Sequence, residues 1–262
     1  MDKLSVVKIG GNVIEDAEAL QSFLTDFTQM QDAKILVHGG GKKATAMAKK
    51  MDIPVQMVEG RRITDAKNLD IITMLYGGKI NKNIVARLQN LGCNALGLSG
   101  ADGNAIQSVK RQVKKIDYGF VGDVVDVNGK LFQMLIYGGY TPVCCAITHD
   151  KKGQLLNTNA DTIAATLSRN LSQYFEVSLW YCFEKQGVLN NIDDDSSVIE
   201  TITPKVYDNL KAGNIIHSGM IPKIDNCFDA LAYGVSKVKI GAPKMIKGIT
   251  KHTTLTLSLI HI

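Results

Sequence analysis

Apolar, β-prone runs in this chain end in glycine, and each glycine turn opens a segment with helical spacing. Leu4 to Ile9 runs into Gly10-Gly11, and Lys34 to His38 runs into Gly39-Gly40-Gly41. After the second turn, Ala44, Met47, Ala48 and Met51 fall at i, i+3, i+4 and i+7, the spacing of one helix face. A buried strand that turns sharply into an amphipathic helix is the repeating unit of a largely parallel sheet covered on both faces. The class read from this pattern is α/β.

The rest of the chain keeps the alternation. Residues 16–30 read as a helix, and Pro54 closes the one that follows the triple glycine. Residues 65–91 carry the longest helical pattern, with Leu69, Ile72, Tyr76, Ile80, Ile84 and Leu91 near one face. A kink is expected at Gly77-Gly78 and a stop at Gly92. Ala95 to Leu98, Thr141 to Ile147, Val177 to Cys182 and Val238 to Ile240 read as strands, and Thr253 to Leu259 as a β-prone end. Residues 104–133 change character: short β-prone segments and the Asn128-Gly129 pair predict hairpins on the sheet edge. Helices are expected from Asp161 to Leu171, from the Thr203-Pro204 start to Gly213, and along Ile221, Ile224, Phe228, Leu231 and Val235.

A chain of 262 residues fits one large α/β domain or two lobes. No composition break forces a boundary; a functional division near residue 168 follows from where the motifs fall. The formal charge of +5 either spreads over a solvated surface or attracts anionic substrates. No basic run interleaved with aromatics marks a nucleic-acid surface. The five cysteines form no Cys-x-x-Cys, which argues against both a disulfide framework and a zinc site and for core thiols in a reducing cytosol. Met1-Asp2-Lys3-Leu4 leads straight into a strand and leaves no room for a signal peptide. No apolar run approaches the ~18–20 residues of a membrane span.

Chemistry gathers in Lys8-Ile9-Gly10-Gly11, His38-Gly39-Gly40-Gly41, Asn157-Thr158-Asn159-Ala160-Asp161 and Gly219-Met220-Ile221-Pro222-Lys223. A glycine turn at the carboxyl end of a parallel strand exposes backbone N–H groups, and the next helix adds its positive end; phosphate oxygens are the natural guest. A tight turn without a ligand is the plainer alternative for one such pair, and less so for two on successive strands. The Gly-x-x-x-x-Gly-Lys-Ser/Thr loop is absent, as are the Gly-x-Gly-x-x-Gly spacing and the protein-kinase motifs. Lys8 ends a buried strand, where a charge is costly unless used or led out to water. Lys223 sits near a helix start, against the dipole, so a compensating anion is expected there. Asp161 either pairs with lysines or caps the helix 162–171. His38 reads as a strand-end hydrogen-bonding residue. Two lysines and backbone donors suit phosphoryl transfer, where catalysis is positioning and electrostatics. A carboxylate acceptor needs no general base.

As an ordered set these segments resemble the amino-acid kinase superfamily, and within it the acetylglutamate kinase branch of arginine biosynthesis. The set adds Glu59 to Asp65, Gly97 to Gly103, Gly119 to Val125 and Gly139 to Val143, and spans nearly the whole chain. The resemblance implies an open three-layer αβα sandwich around a largely parallel central sheet. Residues 1–168 would form an amino-acid lobe and 169–262 a nucleotide lobe on one continuous sheet. It implies transfer of the ATP γ-phosphoryl, with Mg2+, to the γ-carboxylate of an N-acylated glutamate. Lys8 and Lys223 would stabilise the phosphoryl group and Asp161 would organise both. Gly40, Gly41, Arg62 and Asn157 would bind the substrate, with Arg62 clamping its α-carboxylate; Gly10, Gly11 and Asn159 would serve the phosphates of ATP. No protein metal cage is implied.

The chain departs from the family pattern in three places. Arg61 precedes Arg62 where the family has an apolar residue; it either reaches an acidic acyl group such as succinyl or lies exposed. Glu184-Lys-Gln-Gly-Val188, preceded by Cys182-Phe183, stands where the family has an Asp-Val-x-Gly-Val stretch in the nucleotide loop. Ser258 to Ile262 runs past the usual end. With only three residues before the first strand, a homodimer without arginine feedback is expected. Glutamate 5-kinase, uridylate kinase or carbamate kinase chemistry is the alternative within the superfamily, and a non-catalytic anion-binding module the alternative outside it.

Overall fold

The computed structural model describes residues 1–58, 60–191, 193–213, 215–216 and 220–257; Glu59, Gly219 and the terminal residues 258–262 singled out above lie outside these. Strand β1 (Lys3–Ile9) is buried from Leu4 onward, as its unbroken apolar run demands of a strand covered on both faces. Gly10 opens a short α1 (Gly11–Glu15), and Asp16 then caps α2 (Ala17–Thr28) by accepting from the Glu18 and Ala19 amides. Strand β2 (Ala33–His38) leads through the triple glycine into α3 (Gly41–Lys50). Two-residue strands β3 (Met57–Val58) and β4 (Arg61–Arg62) pair antiparallel beside it.

The long helical pattern is observed as α4 (Ala66–Ile72), a π-helical stretch over Thr73–Ile80 and α5 (Asn81–Asn90), with no break between them. The expected kink at Gly77-Gly78 is instead a widened turn. Its cause is legible in the spacing: Leu69, Ile72, Tyr76, Ile80 and Ile84 step by 3, 4, 4 and 4, slower than 3.6 residues per turn, and all are buried. Wider turns in the middle keep the stripe on one face.

After β5 (Ala95–Leu98), strands β6 (Ile106–Lys110) and β7 (Gly122–Val127) form an antiparallel pair. They belong to a separate four-stranded sheet with β9 (Ile147–His149) and β10 (Leu155–Asn157). Asn128-Gly129 is not a hairpin turn. The Asn128 side chain accepts from the Leu131 amide and caps α6 (Gly129–Tyr137), whose Phe132 and Leu135 reach the core. The helix cap and the helical spacing outweigh the turn chemistry of Asn-Gly. Strand β8 (Thr141–Cys145) follows, then α7 (Ala160–Leu171), β11 (Glu176–Cys182), β12 (Thr201–Ile202), α8 (Pro204–Ala212), α9 (Ile221–Ala232), β13 (Lys237–Gly241) and β14 (Thr253–Leu255).

The central sheet runs β12-β14-β13-β11-β1-β2-β8-β5 and is parallel except for the β13–β14 pair. β1 is the hub: Lys8 is in register with Val37 of β2 on one side and Tyr181 of β11 on the other. The chain leaves β1 toward β2 and later returns to its opposite edge with β11. The crevice at the carboxyl end of β1 is therefore a topological switch point, where open α/β sheets bind ligands.

Candidate active site

Lys8 lies at that crevice, its side chain 11% exposed, and its ammonium meets Asp161 Oδ1 at 2.8 Å. Asp161 is the second residue of α7. The cap of that helix is Asn159, whose side chain accepts from the Asp161 and Thr162 amides, so the capping alternative for Asp161 does not hold. Asp161 is free to pair because Asn159 does the capping, and its charge suits the helix N-terminus. Asn159, expected at the phosphates, spends its side-chain oxygen on this cap. Tyr181 also ties the start of α7 to the sheet by donating to the Asp161 carbonyl at 3.1 Å.

Asp161 reaches one of the two lysines. Lys223, the third residue of α9, forms no ion pair among the described residues; its ammonium lies 4.9 Å from the Phe183 ring centroid. The arrangement places one paired and one unpaired ammonium near the end of β1.

The glycines differ in what they are for. A Cβ on Gly40 would collide with Ile80 Cδ1 and meet Tyr76 Cε1 at 2.9 Å, so this turn closes against the long helix only as glycine. Gly11 is different: a Cβ there would meet nothing nearer than the Lys42 side chain at 3.9 Å. Its missing side chain leaves room in the cavity rather than relieving a clash. Behind the triple glycine, His38 is fully buried. Asn81 Nδ2 donates to the Val143 carbonyl at 2.9 Å and faces His38 Nε2 at 3.1 Å, so Nε2 accepts. His38 Nδ1 is left to donate to the Gly39 carbonyl at 2.9 Å, which fixes the turn from behind. Burial lowers the His38 pKa to about 4 and keeps the ring neutral.

Arg62 comes from β4 and is buried. Its Nη2 donates to the Gly41 carbonyl at 3.0 Å and to Thr45 Oγ1 at 2.6 Å. Its Nη1 is buried with no partner among the described residues. A buried guanidinium donor without an acceptor is costly, and an anion facing Nη1 would relieve it. Burial also lowers the Arg62 pKa, and raises that of Tyr76 beside it to about 12, so the phenol stays neutral. Asn157 donates to Thr64 Oγ1 at 3.0 Å and turns toward the same space.

Two cavities open here. One, about 650 Å3, is lined by Arg62, Asn157, Gly40 and Tyr76 among others. The second, about 770 Å3, is lined by Gly10, Val13, Phe183, Lys185 and Lys223 among others. Lys8, Gly11, Gly41 and Lys42 line both. The geometry thus joins two ligand-sized spaces at two paired lysines, Lys8 and Lys42, and two glycine turns. Tyr76, Thr45, Asn81 and Lys42 were not legible as site residues. Tyr76 and Asn81 look like members of an ordinary helix stripe. Lys42, whose ammonium meets Asn12 Oδ1 and Glu15, carried a signal in its place directly after Gly41.

The model of the amino acid kinase family matches residues 3–242. An acetylglutamate kinase of Cytophaga hutchinsonii is 52% identical over 262 residues, 99% of each chain. One from Bacteroides thetaiotaomicron is 51% identical over 246 residues, 94% of this chain and 96% of its own. Among solved structures, smu.665 from Streptococcus mutans superposes with a TM-score of 0.78 at 24% identity, covering 97% of this chain and 99% of its own. Carbamate kinase from Giardia lamblia bound to AMP-PNP gives 0.70 at 11% identity, covering 98% and 99%. At these identities the two structures speak for the fold.

Proposed function

The chain belongs to the amino acid kinase family, and from that premise we propose that it transfers the γ-phosphoryl group of ATP to the γ-carboxylate of N-acetyl-L-glutamate, the acyl-phosphate-forming step of arginine biosynthesis. The observation that carries the reading is the junction of two cavities at Lys8, Gly11, Gly41 and Lys42. A donor in one and an acceptor in the other would meet where charge can be stabilised.

The acylglutamate takes the cavity of Arg62 and Asn157. The unpaired Nη1 of Arg62 receives the α-carboxylate, and the γ-carboxylate points to Lys8. Gly40 and Gly41 offer backbone N–H groups to the substrate. ATP takes the other cavity, its phosphates along Gly10 and Gly11. Residues 1–168 supply the acceptor side, while residues 169–262 build the nucleotide side together with the β1–α1 turn. In the transition state Lys8 and Lys223 balance charge on the equatorial oxygens, and Asp161 holds Lys8 in place. The attacking carboxylate is already ionised, so no residue has to remove a proton, which agrees with a neutral, buried His38.

Among the described residues no three His, Cys, Asp or Glu side chains converge on one point. Magnesium would arrive on the triphosphate, since it keeps phosphate and water ligands and needs no protein cage; it would supply neutralisation of phosphate charge beside Gly10 and Gly11. We further propose a homodimer acting in the cytoplasm. No helix among the described residues is long and apolar enough to cross a membrane.

A second acyl group is favoured by a specific observation. Arg61 lines the acceptor cavity and also an adjoining cleft of about 680 Å3 with Lys114 and Lys115, so N-succinyl-L-glutamate has cations near its extra carboxylate. Trapping the acyl phosphate with hydroxylamine, with N-acetylglutamate, N-succinylglutamate and free glutamate in parallel, tests the proposal. Hydroxamate from an acylated glutamate supports it, and the preferred acyl chain decides the role of Arg61. Hydroxamate from free glutamate alone moves the chain to the glutamate 5-kinase reading. ATP binding without any product moves it to a non-catalytic binding module.

A further inference from the structure

Phe183 directly precedes the stretch where the nucleotide loop departs from its family's pattern, and the structure sets it against the two lysines of the site. It follows β11 directly, two residues beyond Tyr181, so the two rings project from the same face. They stack with centroids 5.9 Å apart and planes at 21°. Tyr181 is in register with Lys8 on β1, which puts the Lys8 side chain on that face too. The Lys8 ammonium is 5.1 Å from the Phe183 centroid and the Lys223 ammonium is 4.9 Å from it. The Phe183 amide is fixed by donating to the Gly241 carbonyl at 2.8 Å.

We propose that Phe183 is a positioning residue that holds both phosphoryl-binding lysines through its π face without adding a counter-charge of its own to the one Asp161 gives Lys8. An aromatic face attracts an ammonium, and it brings no counter-charge. A carboxylate in the same place would hold the lysines more strongly and would also compete with the incoming phosphoryl oxygens. Lys8 has Asp161 as a second anchor, whereas among the described residues the ring is the contact the Lys223 ammonium makes. Phe183 therefore matters most for Lys223, which comes from a separate helix and has to be aimed at the same oxygens as Lys8.

The inference rests on the kinase reading above, and its test separates the two. Reductive 13C-dimethylation keeps lysines charged and gives each an NMR signal; Lys8 and Lys223 are identified by the signals missing from Lys8→Arg and Lys223→Arg. Ring-current shifts are expected for both in the unliganded protein and lost in Phe183→Leu. In turnover, Phe183→Leu lowers kcat by about tenfold and changes KM for the acylglutamate little, while Phe183→Tyr restores kcat. Unshifted lysine signals in the unsubstituted protein overturn the proposal, as does a Phe183→Leu enzyme with unchanged kcat or a Phe183→Tyr enzyme no better than it. Absence of phosphoryl transfer to any acylglutamate would sink the kinase reading, and the ring shifts would still decide what Phe183 does.

Discussion

Replacing Lys8 with alanine removes one of the two lysines that line both cavities and leaves Asp161 without its partner. The expected result is a kcat lower by about 10²–10³-fold with KM values little changed, the pattern of a group that acts in the transition state; steady-state kinetics checks it. Arg62→Leu has the opposite pattern. In the proposed binding mode its guanidinium holds ground state and transition state alike, so KM for the acylglutamate is expected to rise by about 10–100-fold while kcat is largely kept. Lys8, Asp161, Arg62 and the glycines were legible as candidates because charge beside glycine at strand and helix ends is chemically conspicuous. That Asp161 would reach Lys8 and not Lys223 was not, because it depends on where α9 lies relative to β11. The role of His38 was half legible. Its pKa of about 4 lies below the usual 6.5, so the unfolded chain binds its proton more readily, and stability falls as pH drops from about 6.5 toward 4. Between pH 7.5 and 5, urea unfolding should show the unsubstituted protein losing about 2 kcal/mol more than His38→Gln.

Among the elements, the long helix from Ala66 to Asn90 is the one the sequence described almost correctly. Its apolar stripe is plain in the sequence, but steps mostly of four fit both an ordinary helix broken at Gly77-Gly78 and a continuous helix with widened turns, and the structure shows the second. The glycines are tolerated within a π-helical turn, and they are not alike. A Cβ on Gly78 would meet nothing within 4 Å, and its backbone φ is not positive. Gly78→Ala is therefore expected to raise stability by about 0.5–1 kcal/mol, measured as a higher urea midpoint with unchanged slope. A lowered midpoint would mean that the widened turn needs glycine there. The Asn128-Gly129 pair misled for a related reason: the same two residues suit a hairpin turn and a helix cap. Phe132 and Leu135, at helical spacing beyond them, decide for the cap.

For the whole molecule, the alternation of buried strands and amphipathic helices was enough to give the largely parallel sheet. It did not give the strand order, because order depends on which strand edges meet. That order makes β1 the hub and puts Lys8 at the switch point between β2 and β11. The meeting of two cavities at the ends of β1 and β2, beside Lys8 and Lys42, is a consequence of this topology that no local pattern contains. It also explains why the two cavities share Gly11 of the β1–α1 turn although most of their lining residues lie far apart in the chain.

The central claim is that a carboxylate oxygen of the acceptor attacks the γ-phosphorus of ATP at this junction. The most direct measurement supplies N-acetylglutamate carrying 18O in its γ-carboxylate and follows the product by 31P NMR. The account predicts an acyl phosphate whose phosphorus resonance is isotope-shifted by a bridging 18O. ADP and unshifted inorganic phosphate, with no acyl phosphate, would mean that water takes the phosphoryl group and would contradict it.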